Sequence, residues 1–167
     1  MLNFRVSEME IKKSHILLFV LSLALYSACV KKKTYSTEPE IAFKSFYPFP
    51  GDSADFTITF SDGDGDIGKV QEDSTKNLFM TYYYKDTITQ KFVGLYNSFL
   101  NDTVRFTYTI RKPKDQYAGK PISGEISVKI NEYRHDPKFK NLKYVVYIVD
   151  NANHKSNVIT TPELIAP

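Results

Sequence analysis

Hydrophobic and polar residues alternate along most of the chain after residue 38. A clean period of two occurs at residues 56–60, 104–110 and 126–130, which is the spacing of a strand with one buried and one exposed face. Residues 142–149 are apolar on both faces, as is typical of a central strand. The same criteria predict four further strands, at residues 41–47, 78–85, 87–96 and 158–162.

Turn residues separate these segments, and no stretch after residue 38 has a helical period of 3.6 over eleven residues. A series of short strands with turns between them is the pattern of a sandwich or a barrel. The chain therefore predicts an all-β fold, a sandwich of two antiparallel sheets with seven to eight strands. Its length corresponds to about one domain.

The N-terminus has a different pattern, an apolar run at residues 16–28 that follows two lysines at 12 and 13. The run is shorter than the roughly 20 residues that span a bilayer, and it fits the core of a secretory signal. Small residues then lead into Cys29, and the segment resembles the lipobox of bacterial lipoproteins, with Tyr26 where leucine is usual. The alternative is an uncleaved helix or a plain signal peptide followed by a chance cysteine.

The lipobox resemblance implies a signal peptide over residues 1–28 and acylation of Cys29, with palmitate among the chains. Val30 follows the cysteine, which resembles the default sorting route to the cell outer membrane. Whether the protein faces the periplasm or the cell surface stays open. Residues 29–38 are polar and aperiodic, so they predict a tether that reaches about 33 Å at most. The lysines at 31–33 predict either contact with lipid headgroups or a solvated spacer.

Composition narrows the remaining functions. The chain has 22 Lys and Arg against 19 Asp and Glu, a net charge of +3, which argues against a polyanion-binding tail. With 42% hydrophobic residues a disordered chain is not expected. With one cysteine, the chain cannot form an internal disulfide or a thiolate metal cluster. With three histidines, it has few candidate ligands for a zinc site. Nucleic acid is not expected as a partner of an exported protein.

An acidic loop carries the clearest chemistry. Asp62, Asp64 and Asp66 alternate with glycines, so their side chains project to one side of an extended segment. Calcium takes six to eight oxygen ligands, and this spacing supplies three. An EF-hand is rejected because Ile67 and Asp73 stand where that loop needs glycine and glutamate. A phosphate-binding loop is rejected because the negative charges of the aspartates would repel a phosphate group. The open alternative to a calcium loop is a solvated, charged turn.

Two patches carry a family resemblance: FSDGDGDIG at residues 60–68 and YIVDNANHKSN at 147–157. Together they resemble small bacterial lipoproteins with an immunoglobulin-like domain, a group without a defined activity. The resemblance implies an immunoglobulin-like antiparallel β-sandwich over residues 39–165. In such a domain the loop after the second strand and the loop before the last strand lie at one end. Glu38 and Glu40 are expected to approach the same end.

That arrangement extends the predicted calcium ligand set, which comprises Asp62, Asp64, Asp66, Asp150, Asn151 and Asn153. Because the tether enters at this end, the acidic end is expected to face the membrane. Three consecutive tyrosines, Tyr82, Tyr83 and Tyr84, are either a sugar-stacking or partner surface or ordinary packing with one exposed ring.

No motif places a nucleophile beside His135 or His154, so no catalytic residues are predicted. The main hypothesis is a non-enzymatic, lipid-anchored envelope protein, a calcium-stabilised structural or interaction module whose partner is a glycan or an envelope protein. The alternatives are a carbohydrate-binding accessory lipoprotein and, more weakly, an exported hydrolase.

Overall fold

A computed structural model describes residues 35–112, 119–134 and 136–166 of the chain. All regular structure in these ranges is β-strand, so the all-β prediction is confirmed. No helix in these ranges is long and apolar enough to cross a bilayer. The strands are β1 (Glu40–Pro48), β2 (Ala54–Asp62), β3 (Leu78–Lys85), β4 (Phe92–Gly94), β5 (Tyr96–Asn97), β6 (Asp102–Thr103), β7 (Arg105–Tyr108), β8 (Ile122–Ile130), β9 (Asn141–Ile148), β10 (Ile159–Thr160) and β11 (Leu164–Ile165).

The strands form antiparallel sheets whose arrangement is consistent with a β-sandwich. One sheet has the order β1-β2-β8, and the other has the order β10-β9-β3-β4, with β11 also paired to β9 and β7 to β3. The short hairpin β5–β6 interrupts the edge strand formed by β4 and β7. Each of β2, β3 and β9 is paired on both sides, and these strands carry most of the buried hydrophobic side chains.

Aromatic side chains join the two sheets in one hydrophobic core. Tyr144 of β9 is completely buried, and its ring centroid lies 6.0 Å from that of Phe56 on β2 and 5.9 Å from that of Tyr82 on β3. Its hydroxyl donates a hydrogen bond to the carbonyl of Tyr133 at 2.8 Å, so the buried oxygen is satisfied. Burial of each such side chain contributes roughly 1.5–3 kcal/mol, so these contacts help to hold the two sheets together.

The predicted strand at 87–96 is confirmed only at residues 92–94, which form β4, and at Tyr96 of β5, because a tight turn occupies its first part. The Asp86 side chain accepts hydrogen bonds from the backbone N–H groups of Ile88 and Thr89 at 3.1 and 2.6 Å. Gln90 has a φ of 57°, which closes the turn before β4 begins at Phe92. When an aspartate side chain accepts hydrogen bonds from the backbone two and three residues later, it stabilises a turn in place of an extended strand. The hydrophobic alternation of this segment does not reveal that turn.

Register places several loops at one end of the sheets. Asp62, the last residue of β2, pairs with Ile122 at the start of β8, and Leu78 at the start of β3 pairs with Ile148 at the end of β9. The chain enters β1 at this end, where Glu40 pairs with Ser61. We call this end the acidic pole and define it by Asp62, Asp64 and Asp66.

Candidate metal site

The acidic pole brings the three aspartates of the predicted loop together. One carboxylate oxygen from each of Asp62, Asp64 and Asp66 lies within 4.8 Å of the others. Gly65 has a φ of +69°, a conformation that glycine adopts without steric cost, and it turns the loop between Asp64 and Asp66. The alternation of Asp and Gly thus builds a converging cluster, as the sequence predicts.

Asp62 is the most unusual member of this cluster. Its side chain is 0% exposed, and neither carboxylate oxygen has a hydrogen-bond partner at normal geometry. One oxygen each of Asp64 and Asp66 is also buried and without a partner. Buried polar groups in folded proteins nearly always have partners, and a buried, unpaired carboxylate is especially costly. Asp64 and Asp66 are only half-buried, so a solvated, charged turn stays the alternative for this part of the loop.

The pKa values of Asp62 and Asp66 are raised because the carboxylates are buried and close together. Burial, followed by the neighbouring carboxylates of Asp64 and Asp66, raises the pKa of Asp62 to about 6, although the nearby backbone N–H of Asp66 partly opposes the shift. Burial and then the charges of Asp150 and Asp64 raise the pKa of Asp66, although the backbone amides of Ala152 and Asn151 partly oppose the shift. Two carboxylates 4.8 Å apart repel by about 3 kcal/mol at an effective dielectric constant near 20. The cluster therefore favours either a bound proton or a bound cation.

The loop between β9 and β10 lies against the acidic loop, as the predicted ligand set required. The backbone N–H of Asn151 donates to the carbonyl of Asp66 at 3.3 Å, and the Asn151 side chain donates to the carbonyl of Gly68 at 2.8 Å. Asn151 therefore binds the backbone of the acidic loop through its main-chain nitrogen and its side-chain nitrogen. Its position was predicted, whereas this bracing role was not.

Asp150 differs from Asp62 although both are completely buried. Its two oxygens are bound by His154, one by the backbone N–H at 2.8 Å and the other by ring Nδ1 at 3.0 Å. The hydrogen bond to Asp150 and its charge, together with the charges of Asp64 and Asp66, raise the pKa of His154. Asp150 thus already has a partner within the chain, and its carboxylate lies outside the cluster that Asp62 forms.

The remaining predicted neighbours of the acidic loop are exposed. Asn153 is exposed and has a φ of 68°, which accounts for asparagine at a position where glycine would also fit. Glu38 and Glu40 are exposed near the start of β1, and neither belongs to the group of converging carboxylates. Of the six predicted metal residues, the three aspartates of the acidic loop form the candidate site.

Asn77 is a supporting residue that the sequence did not reveal. It is 1% exposed, and its side chain donates to the carbonyl of Ile67 at 3.0 Å and accepts from the backbone N–H of Ile110 at 2.6 Å. Its backbone carbonyl accepts from Val149 at 2.9 Å. One amide thus ties the end of the acidic loop to two other segments. A single polar residue before a predicted strand has no sequence signature that distinguishes it from an ordinary turn residue.

The tyrosine run does not form an exposed platform. Tyr82 is 0% exposed and belongs to the core, whereas Tyr84 stacks on Phe139 with ring centroids 3.9 Å apart. Tyr83 pairs with Lys143 on β9 and points to the opposite face of the sheet. Strand alternation therefore divides the three rings, and ordinary packing accounts for Tyr82 and Tyr84.

Other predicted features lie partly outside the described residues. Cys29, the lysines at 31–33 and His135 are among the residues that the structure does not describe. A groove of about 540 Å³ runs beside β8 and is lined by Phe60, Ile67 and Ile126 among others. His154 does not line this groove, and its ring nitrogen is engaged by Asp150.

Comparison with known proteins adds no relative: neither family models nor searches of curated proteins and solved structures produced a match.

Proposed function

We propose that this chain is a lipid-anchored protein of the cell envelope whose immunoglobulin-like β-sandwich binds calcium at Asp62, Asp64 and Asp66. It acts as a non-catalytic structural or interaction module, and the ion stabilises its acidic pole. The sheet orders support an immunoglobulin-like topology, because β1-β2-β8 matches the A-B-E order of that fold and β10-β9-β3 matches its G-F-C order.

The carboxylate of Asp62 is the observation that carries the calcium proposal. A fully buried carboxylate without a partner lies beside two others that also leave oxygens unsatisfied. No Lys, Arg or His forms an ion pair with these three carboxylates among the ion pairs of the described residues. A bound cation would compensate the charge and occupy the unsatisfied oxygens at the same time.

The donor chemistry favours calcium over softer metals. All three candidate ligands are carboxylate oxygens, which suit hard cations, and neither thiolate nor free imidazole is part of the group. Calcium tolerates irregular coordination and is completed by backbone carbonyls and water, whereas magnesium requires a near-octahedral shell and gives up its waters reluctantly. A short loop with three carboxylates therefore fits calcium better.

The lipid anchor is supported by the N-terminal sequence, and the place where the chain enters the domain indicates which pole such an anchor would hold near the membrane. The first described residues, Tyr35 and Ser36, lie at the acidic pole, where the carbonyl of Ser36 accepts a hydrogen bond from Gly63 at 2.7 Å. A chain acylated at Cys29 would therefore leave the membrane and reach the sandwich at this pole. The calcium site would then be the part of the domain nearest the bilayer.

A calcium titration of the thermal unfolding temperature tests the metal proposal. We expect millimolar calcium to raise the melting temperature of the wild-type protein and to leave Asp64→Ala unaffected. Asp102→Asn is the matched control because Asp102 is an exposed aspartate far along the chain in the β5–β6 hairpin. This variant should respond to calcium like the wild type. A wild-type melting curve that calcium does not change would refute the metal site.

The anchor has its own test. We expect mass spectrometry of the mature protein to find an acylated N-terminal residue 29, and Cys29→Ala to move the protein from the membrane fraction to the soluble fraction. An unmodified Cys29 within an intact N-terminus would refute the anchor and leave the metal proposal standing.

A further inference from the structure

The three-stranded sheet has two edge strands, β1 and β8, and they differ in how their outer side is protected. The register of β1 with β2 shifts between Phe43 and Ser45, which marks a bulge or irregularity. The side chain of Asn157 also binds the backbone of Ile41, accepting from its N–H at 2.7 Å and donating to its carbonyl at 2.9 Å. Irregularities and covering groups prevent an edge from pairing with a further strand. The outer side of β1 is therefore partly occupied.

Strand β8 has neither of these protections. All nine of its residues, from Ile122 to Ile130, pair with β2 without a register shift, and no proline interrupts them. Within the described residues β8 pairs only with β2, and its backbone makes no backbone–backbone hydrogen bond outside that ladder. Alternate residues of an edge strand point their N–H and C=O groups away from the neighbouring strand. β8 therefore offers a row of backbone groups that a further strand could pair with.

The inner face of this edge is apolar and partly open. The groove of about 540 Å³ lies beside β8, and Phe60, Ile122 and Ile126 are among the residues that line it. Gly124 leaves this part of β8 without a side chain, and a Cβ atom there would lie 3.4 Å from the Phe60 ring. Ile126 and Val128 pack against the core but are only half-buried. A further strand beside β8 would cover these side chains as well as pair with the backbone.

The charges on the outer face of β8 indicate which strand fits. Glu125 and Lys129 are exposed and lie symmetrically on either side of Ser127. In an antiparallel pair of two β8 strands centred on Ser127, each Glu125 is directly opposite Lys129 of the second copy. Opposite charges in such positions stabilise the pair, and like charges destabilise it. No ion pair of the described residues involves Lys129, and Glu125 contacts Lys44 through one oxygen only.

We propose that β8 is a self-association edge, which pairs antiparallel with β8 of a second copy around Ser127 and joins the two three-stranded sheets into one. Ile126 of each copy then lies beside Val128 of the other, so the half-buried side chains cover one another. A pair centred on Glu125 or on Lys129 would instead oppose like charges, so the charge pattern selects the register.

This inference goes beyond the proposed function, because it names a second copy of the chain as the partner of the interaction module. The two acidic poles lie at opposite ends of the antiparallel dimer, since the paired β8 strands run in opposite directions. The pairing therefore requires neither the calcium site nor the lipid anchor.

Cysteine cross-linking of the full chain in detergent, with Cys29→Ala as the background, tests the register. In the proposed pair the two Cα atoms of residue 127 lie about 4.5–5.5 Å apart, a distance that a disulfide spans. We expect Ser127→Cys to form a covalent dimer under mild oxidation. Ser123→Cys is the matched control, an exposed position on the same face of β8 whose two copies would lie about 27 Å apart along the strands. Equal cross-linking of the two variants, or none in Ser127→Cys, would overturn the proposal.

Sedimentation equilibrium of the same full chain measures the strength of the pairing. We expect Glu125→Lys and Lys129→Glu each to raise the dimer dissociation constant roughly tenfold, because each opposes like charges at two symmetric positions. The double variant Glu125→Lys, Lys129→Glu exchanges the charges and should return close to the wild-type value. A chelator should leave the constant unchanged, so the outcome does not depend on the calcium site.

Two results of the sedimentation experiment would overturn the proposal. A chain that stays monomeric at millimolar concentration does not self-associate, and β8 would then be an edge for a strand of another protein. A dimer that neither single variant weakens, or that the double variant does not restore, is held by a different surface.

Discussion

The two ends of the sandwich differ in whether an ion pair compensates the charge of a buried or half-buried aspartate. At the end of the β1–β2 hairpin, Asp52 forms an ion pair with Arg134, whose guanidinium lies 5.6 Å from the centre of the Tyr133 ring. The backbone carbonyl of Asp52 also accepts from the N–H of Tyr133 at 2.9 Å. At the acidic pole, Asp62 is more deeply buried and has no such partner.

The difference shows what a carboxylate requires in each place. Asp52 forms an ion pair with a residue of the same chain, so its charge is compensated without a ligand. The charge at the acidic pole is not compensated by an ion pair among the described residues. Because burial and the neighbouring carboxylates raise the pKa of Asp62, we expect the stability of that pole to depend on pH and, under the calcium proposal, on the cation. A comparison of variants at the two ends should separate these cases.

The largest expected effect is the loss of calcium stabilisation in Asp62→Asn. A ligand at a hundred times its Kd stabilises the folded state by about 2.7 kcal/mol, which corresponds to roughly 10 °C in melting temperature for a domain of this size. Asp62→Asn should lose that increase in scanning calorimetry, whereas Asp52→Asn should retain it. In the presence of a chelator, Asp62→Asn should melt no lower than the wild type, because it removes a buried, unpaired charge. A lower value would contradict this account.

The next effect concerns the opposite end. Arg134→Met leaves Asp52 half-buried without its cation, and we expect a loss of about 2 kcal/mol in the free energy of unfolding. Chemical denaturation should show the same loss with and without calcium. The double variant Asp52→Asn, Arg134→Met should recover part of that loss, since it leaves no uncompensated charge. A loss that calcium reverses would mean that the two ends are coupled.

A smaller effect is the pH dependence of the metal-free protein. The pKa of Asp62 is raised from 3.8 to about 6, so the folded state holds this proton more tightly than the unfolded state. The resulting stability is fully present below about pH 4 and is lost as the pH rises through about 6. Melting temperatures in chelator should therefore fall by a few degrees between pH 4 and pH 7 relative to those of Asp62→Asn. Equal slopes for the two proteins would contradict the shift.

The smallest effect is the preference between cations. Magnesium should stabilise the wild-type protein less than calcium at equal concentration, because three carboxylates on one irregular loop do not provide an octahedral shell. Parallel titrations monitored by melting temperature measure the difference, with Asp64→Ala as the blank. A stronger response to magnesium would indicate a more regular site than the loop geometry supports.

Much of the fold could be predicted from the local alternation of hydrophobic and polar residues. The exceptions are segments whose structure depends on hydrogen bonds or tertiary contacts that this alternation does not express. The strand at residues 78–85 occurs as predicted because its alternating side chains match the two faces of a central strand. The strand predicted at 87–96 failed over its first part because the hydrogen bonds of the Asp86 side chain outweighed the hydrophobic pattern. The short strand β11 was missed because two residues carry too little periodicity, and its pairing with β9 depends on tertiary contact.

Some features of the candidate site could likewise be predicted from the sequence, and others could not. The spacing of Asp62, Asp64 and Asp66 by itself indicated a convergent carboxylate group, since alternate residues of an extended loop share a side. The burial of Asp62, the pairing of Asp150 with His154 and the contact of Gly63 with Ser36 were decided only by the tertiary structure. The physical reason is that periodicity and residue type express local preferences, whereas burial and hydrogen-bond partners depend on segments distant in sequence that meet only when the sheets pack.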